Sequence, residues 1–312
     1  MVNQKKPHSR HHYVPEFYLK GFVDPYKGCV WRYEKGGEII PLSTKDAAVI
    51  RDYHSFKKGE GEKDSETFED FFNRIESKAS LVIRKIIDQE ILSEEEKAIF
   101  SLFIALMMVR VPNYRINTEK MIADIAKSFS LFTASDPEAF KKSLTKYEHD
   151  TGDIIDIPAE ELREFILDDS KYTIKTNPEI SLGLSAMSIE SLAPVFFKMN
   201  WTFIYASRDY KFVNSDNPLF YDDPTHNTNS SHGVGLLSKN VEVTFPISRD
   251  VALFCSWGKK RKAIQVTNKM VKTINRRTIS AALKYVFAPN RADGLNKIVQ
   301  DLKNSAPIIQ ID

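Results

Sequence analysis

Cysteine is scarce in this chain of 312 residues: Cys29 and Cys255 are the two present. Two distant thiols make neither a disulfide framework nor a clustered zinc or iron–sulfur site. Long apolar runs are missing as well. The longest mostly apolar stretch, Ala98 to Val109, has twelve residues including Ser101 and stops at Arg110. A membrane-spanning helix needs about 20. The opening MVNQKKPHSRHHYVPEF is basic without an apolar h-region, so no signal peptide is read. A soluble, cytoplasmic protein without a transmembrane segment is expected. The chain also lacks a G-x-G-x-x-G after a strand, a Walker A loop, H-E-x-x-H and C-x-x-C. This argues against nucleotide-driven motors, Rossmann oxidoreductases and zincin proteases. VEVTF sets Thr244 two residues after Glu242, so the E-x-K of a restriction-type nuclease core fails. No G-x-S-x-G elbow surrounds Ser215.

Acid is missing from one long stretch. Val251 to Ala292 holds ten bases (Lys259, Lys260, Arg261, Lys262, Lys269, Lys272, Arg276, Arg277, Lys284 and Arg291) and no acid. The formal net charge is nevertheless only +2. Compensation is concentrated from Glu148 to Asp169, where nine acids face the single base Arg163. Lys5, Lys6 and Arg10 form a smaller basic group. Such segregation can focus a positive field on one face and steer an anionic partner such as DNA or RNA. It equally allows the acidic segment to pack beside the basic one within one molecule.

What is present reads as α+β, with a predominantly helical core. The first 56 residues look non-helical; 29–34 and 38–42 are expected as strands turned by Gly36-Gly37. From Ser65 the period becomes 3.6, with Phe68, Phe71, Phe72, Ile75, Ala79, Val82, Ile83, Ile86 and Ile87 forming a stripe. Ser93 with Glu96 is a capping-box signature for the next helix, which Pro112 ends. Further helices are expected at 114–131, 137–146 behind an Asp136 cap, 158–167 and 188–198. WTFIYAS, YKFVNS, VEVTFPI and VALFCSW predict a small antiparallel sheet over 201–257, with a long loop at 226–235. Helix is expected again at 266–287 and 294–303. One composite domain over 1–312 is favoured: a strand-rich 1–60, a helical 65–199, a sheet at 200–257 and a basic helical 258–312.

The segment His11 to Phe22, HHYVPEFYLKGF, resembles the opening motif of a bacterial domain-of-unknown-function family, DUF4238. That motif usually runs two histidines, Tyr, Val, Pro, an aromatic–Leu pair and a Phe. Three later pieces fit the same family in order. They are Ile75-Glu76-Ser77 with Ile104-Ala105-Leu106 and Val109-Arg110-Val111-Pro112; FVNSDNP from Phe212 to Pro218; and Asn275 with Tyr285-Val286. The chain departs at Asn214, where the family more often has Thr or Ser, and near His54, where an aromatic is common. The resemblance implies one fold across most of the chain and no established reaction.

Several residues can carry chemistry. His11 and His12 are adjacent, so an extended segment points them to opposite faces. Either can act as ligand or general base at neutral pH, or serve as architecture while Tyr13, Phe17, Tyr18, Leu19 and Phe22 bury against the helices. Glu69, Asn73 and Glu76 share one helix face. Glu76 can help hold Mg²⁺ or Mn²⁺, or simply belong to a solvated face. Arg110 ends an apolar helix, so its planar fork either binds a substrate anion or pairs in the core with Glu76 or Asp216. Asp216, in Asp216-Asn217-Pro218 after a strand, is a candidate for catalysis or metal binding and also a good turn former. Lys259, Lys260, Arg261, Lys262, Lys269, Lys272, Arg276 and Lys284 are the candidate nucleic-acid contacts. Two functions compete: a metal-assisted phosphodiester hydrolase using His11, His12, Glu76, Arg110 and Asp216, and a non-catalytic nucleic-acid- or protein-binding module.

Overall fold

A computed structural model describes residues 10–58, 62–226, 233–258, 264–265 and 267–305. In chain order they form β1 (Arg10–His12), α1 (Glu16–Leu19) continued by a 3₁₀ turn (Lys20–Phe22), β2 (Val30–Glu34), β3 (Ile39–Leu42), β4 (Val49–Arg51), β5 (Phe56–Lys58) and β6 (Glu62–Asp64). Six helices follow: α2 (Thr67–Ile87), α3 (Glu94–Val109), α4 (Pro112–Ser135), α5 (Pro137–Thr151), α6 (Ala159–Leu167) and α7 (Pro178–Lys198). The rest are β7 (Asn200–Tyr205), β8 (Asn214–Ser215), β9 (Phe220–Asp222), β10 (Glu242–Pro246), β11 (Val251–Ser256), β12 (Ile264–Gln265), α8 (Asn268–Ala281), β13 (Tyr285–Ala288) and α9 (Asp293–Asp301). The protein is α+β.

The chain divides into two compact units; among described residues these are 10–115 with 182–305, and 116–181. The boundaries fall inside α4 and α7. In the first unit the sheet orders are β12-β7-β11-β10-β9 and β3-β2-β13-β8, with two-stranded β1-β4 and β5-β6. Pairing is antiparallel except β12 on β7. The apolar stripe of α2, except the exposed Phe71 and Ile87, and the all-round apolar α3 enter the main core with Tyr13, Val14, Tyr18, Leu19 and Phe22. Tyr18 stacks on Phe245 at 5.4 Å and donates its hydroxyl to the Pro246 carbonyl. Ser93 Oγ accepts from the Glu96 amide while the Glu96 carboxylate accepts from the Ser93 amide, the reciprocal cap expected for α3.

The second unit holds most of α4 with α5 and α6. Asp136 accepts from the Glu138 and Ala139 amides to start α5, with Pro137 in its first turn. Much of its acidic segment is paired locally: Glu160 with Arg163, Asp168 with Lys171, Asp169 with Lys127 and Asp150 with Lys146. α7 alone among described helices is long and apolar enough by itself to cross a membrane, and Ile189, Ala193 and Phe196 on it belong to the main core.

Four sequence expectations are corrected. The first 56 residues contain a helical turn, α1, because Pro15 presets its entry and Tyr18, Leu19 and Phe22 bury together. Helix 266–287 ends at Ala281, and Tyr285–Ala288 is a strand paired with β2 and β8. In YKFVNS only Asn214–Ser215 is strand, and it joins β13 rather than the five-stranded sheet. Phe220–Asp222 supplies that sheet's edge instead. α7 also begins ten residues before the expected 188, at Pro178.

Candidate functional site

β1 pairs antiparallel with β4, setting His11 opposite Ile50 and His12 opposite Val49. Alternation along the strand buries His11 and leaves His12 half-buried. The chain then turns at Asp52, whose φ of 57° is one that Asp tolerates better than most residues. This turn brings His54 back under β1. The His54 amide donates to His11 Nδ1 at 2.8 Å, and the two rings lie 5.4 Å apart within 5° of parallel.

His54 Nδ1 lies 2.5 Å from Glu69 Oε1, on the first turn of α2. Carboxylates only accept, so Nδ1 carries the proton and Nε2 the lone pair. Nε2 is buried without a hydrogen-bond partner. Burial holds the His54 pKa down at about 4, against the pull of Glu69, so the ring is neutral. Burial is the largest influence on the Glu69 carboxyl and pushes it up, but the His54 hydrogen bond and the nearby charges, Arg110 among them, together outweigh it and the net direction is down.

Seven residues along the same face of α2, Glu76 forms an ion pair with Arg110. The guanidinium also donates to the His12 carbonyl and stacks over Phe72 at 5.0 Å. The edge of Phe72 meets the His54 ring, 5.0 Å between centroids. His12 Nε2 lies 3.2 Å from the Thr44 carbonyl, so that nitrogen donates and Nδ1 keeps the lone pair. Burial, which favours the neutral imidazole, lowers the His12 pKa against the pull of its bond to the Thr44 carbonyl.

The structure therefore brings His11, His12, Glu76 and Arg110 to one face of the first half of α2 and adds His54 and Glu69. Arg110 takes the core pairing with Glu76, not with Asp216. Asp216 is held by other contacts: its carboxylate accepts 2.7 Å hydrogen bonds from the amides of Leu283, Lys284 and Tyr285. Those bonds stop the chain after α8 and deliver it into β13. Asn73 is exposed. Sequence reasoning passed over His54, treating it only as a departure from a motif. It did place Glu69 on the right face.

Neither carboxylate proposed for a metal stands open, since Glu76 is committed to Arg110 and Asp216 to three amides. Among the described residues His11, His54 and Glu69 bring one ligand atom each within 4.8 Å of one another. Two imidazoles and a carboxylate suit Mn²⁺ better than Mg²⁺, which prefers all-oxygen shells. Cys255 is inert by comparison, its thiol pushed up by burial.

Of the basic candidates, Lys259, Lys260, Arg261 and Lys262 lie outside the described residues. Lys269, Lys272 and Arg276 are exposed on α8. Lys284 follows α8 and pairs with Glu34 at 2.9 Å, so its charge is partly answered within the protein.

Fold and site together define an α+β protein with a histidine–glutamate–arginine centre clamped between its N-terminal strand and α2. Residues 10–292 match the family described as Protein of unknown function (DUF4238), and the chain belongs to that family. No curated protein and no solved structure matches it.

Proposed function

We propose that this protein is a phosphodiester hydrolase, nuclease-like, acting on nucleic acid in the cytoplasm with help from a divalent ion. The observation that carries this reading is the convergence of His12, His54, Glu69, Glu76 and Arg110 on one face of α2. His12 Nδ1 is the proton acceptor: neutral, half-buried and steadied through its other nitrogen. Arg110 is a positioning residue, fixing the strand that carries His12 by its carbonyl. His54 is too weak a base at neutral pH for that task. It suits a ligand instead, oriented by Glu69 as metal-bound histidines are by outer carboxylates. His11 and His54 would hold Mn²⁺, with Glu69 orienting His54 from outside the ligand set, and the ion would supply charge stabilisation at a phosphate oxygen. Lys269, Lys272 and Arg276 form an exposed basic face for the phosphate backbone.

The Arg110 clamp also favours a second reading, a nucleic-acid- or protein-binding module whose histidine motif is architecture. Cleavage of single- and double-stranded DNA and RNA with Mn²⁺, Mg²⁺ or chelator separates the two. Metal-dependent cutting that disappears in folded H12A and H54F variants supports the hydrolase. Absence of cutting on every substrate leaves the binding module.

A further inference from the structure

A cleft of about 260 Å³ runs between α8 and the five-stranded sheet. Its floor is one row across three strands. Thr244 pairs with Phe254, and Phe254 with Thr202, so the three side chains stand abreast on one face. Its roof is Met270 and Ile274 of α8, with Thr273 alongside. Lys269 stands at one end, in the first turn of α8, and Arg277 at the other, paired with Glu242 at 2.5 Å. Lys269 to Arg277 spans about 12 Å along a helix.

Two features ask for a ligand. Thr244 is 1% exposed, yet its Oγ1 has no hydrogen-bond partner. A buried hydroxyl left unmet costs stability that a bound polar group recovers. The start of α8 is the other feature. Its cap residue, Thr267, makes no side-chain cap bond and its first turn has no acid. First-turn amides and Lys269 therefore favour an anion there. Arg277 is already balanced by Glu242, so the uncompensated charge of the cleft is positive and sits at the Lys269 end.

We infer that this cleft binds a nucleotide, its base between Phe254 and Met270 and its phosphate at the Lys269 end of α8. An aromatic floor with a thioether above it accepts a flat ring of any base. The Thr244 hydroxyl both donates and accepts, so it meets a purine or a pyrimidine edge without selecting one. A bare phosphate leaves the apolar walls and Thr244 unused. An apolar ligand leaves Lys269 and Thr244 unused. This goes beyond the hydrolase reading and does not depend on it: the two share Lys269, but the cleft is read through mononucleotide binding at Thr244, Phe254 and Met270, which the hydrolase centre does not use.

Calorimetric titration with AMP and UMP tests it, with adenosine and inorganic phosphate as the partial ligands. Saturable 1:1 binding of both mononucleotides is expected, with each partial ligand weaker by about tenfold or more. K269E should weaken AMP about tenfold. T244V, nearly isosteric, should weaken it about fivefold and leave the melting temperature unchanged or raised. A short oligonucleotide that displaces AMP places the cleft on a nucleic-acid strand; one that does not makes the free mononucleotide the ligand. The inference is overturned by no saturable AMP or UMP binding to folded protein. It is equally overturned by inorganic phosphate binding as tightly as AMP, or by K269E and T244V both leaving affinity intact. Cleavage activity enters none of these outcomes, so failure here and failure of the hydrolase reading are separate results.

Discussion

Arg110 and Glu76 form an ion pair in which the arginine side chain is 1% exposed and the glutamate 14%. A charge so enclosed is strongly destabilising once its partner is removed. Glu76→Ala should therefore cost about 3–5 kcal/mol in urea unfolding. Glu76→Gln keeps an acceptor for the guanidinium and should cost less. The R110M/E76L pair removes both charges and should lie closer to wild type than E76A, short of the bond to the His12 carbonyl. An E76A loss under about 1 kcal/mol would mean that the pair does not hold the site together.

Asp216 gives a pH signature. Burial raises its pKa from 3.8 to about 6, although three amides pull the other way. Below about pH 4 the carboxyl is protonated in folded and unfolded chains alike, and contributes nothing. Between about pH 4 and 6 the unfolded chain loses this proton first, so stability falls as pH rises. The decline should total about 3 kcal/mol and then level off. Lys35, the cation facing Asp216, is lowered by burial to about 8 and titrates outside that window. Asp216→Asn should remove this part of the slope while lowering stability overall, since one amide oxygen replaces two for three donors. Unfolding curves at half-unit pH steps measure both, and an unchanged slope in D216N would rule the assignment out.

The same residue shows how far the sequence carried. Periodicity and capping residues located α2, α3 and α5 because their signals are local: a 3.6-residue stripe, Ser93 with Glu96, and Asp136 before Pro137. The end of α8 was not legible, because what stops it is Asp216, some 67 residues earlier in the chain. The expected helix over 266–287 carries Tyr285, whereas strand pairing with Glu34 claims it. The site divides the same way. Glu69 and Glu76 on one face follow from spacing, and Arg110 had to find a partner inside the core. His54 meets Glu69 through a turn at Asp52, which no periodicity announces.

Tyr18 ties the N-terminal motif to the sheet. It is buried, and donates its hydroxyl to the Pro246 carbonyl while stacking on Phe245. Tyr18→Phe keeps the stack and strips the donor from a buried carbonyl, so a loss of about 1–2 kcal/mol is expected. Tyr18→Ala loses the ring as well and should cost about 3–5 kcal/mol. Chemical denaturation of the two variants separates hydrogen bond from packing. Equal losses would place the whole contribution in the hydroxyl.

His54 separates architecture from chemistry more sharply than the His11–His12 pair does. Its backbone amide, not its ring, holds His11, so His54→Phe keeps that hydrogen bond. Phenylalanine also keeps the ring contacts with Phe72 and Tyr53 and removes the unpartnered Nε2. Glu69, with its side chain 25% exposed, is left to water. H54F should accordingly stay within about 1 kcal/mol of wild type. Glu69→Ala is the opposite case, because it strands a buried Nδ1–H and should cost about 1–3 kcal/mol. If the centre is chemical, H54F is folded and inactive in the cleavage assay. If it is only architectural, H54F behaves as wild type in every assay and E69A alone is impaired, through stability. A folded H54F that cuts nucleic acid at the wild-type rate would remove His54 from the mechanism, and with it the imidazole-held ion.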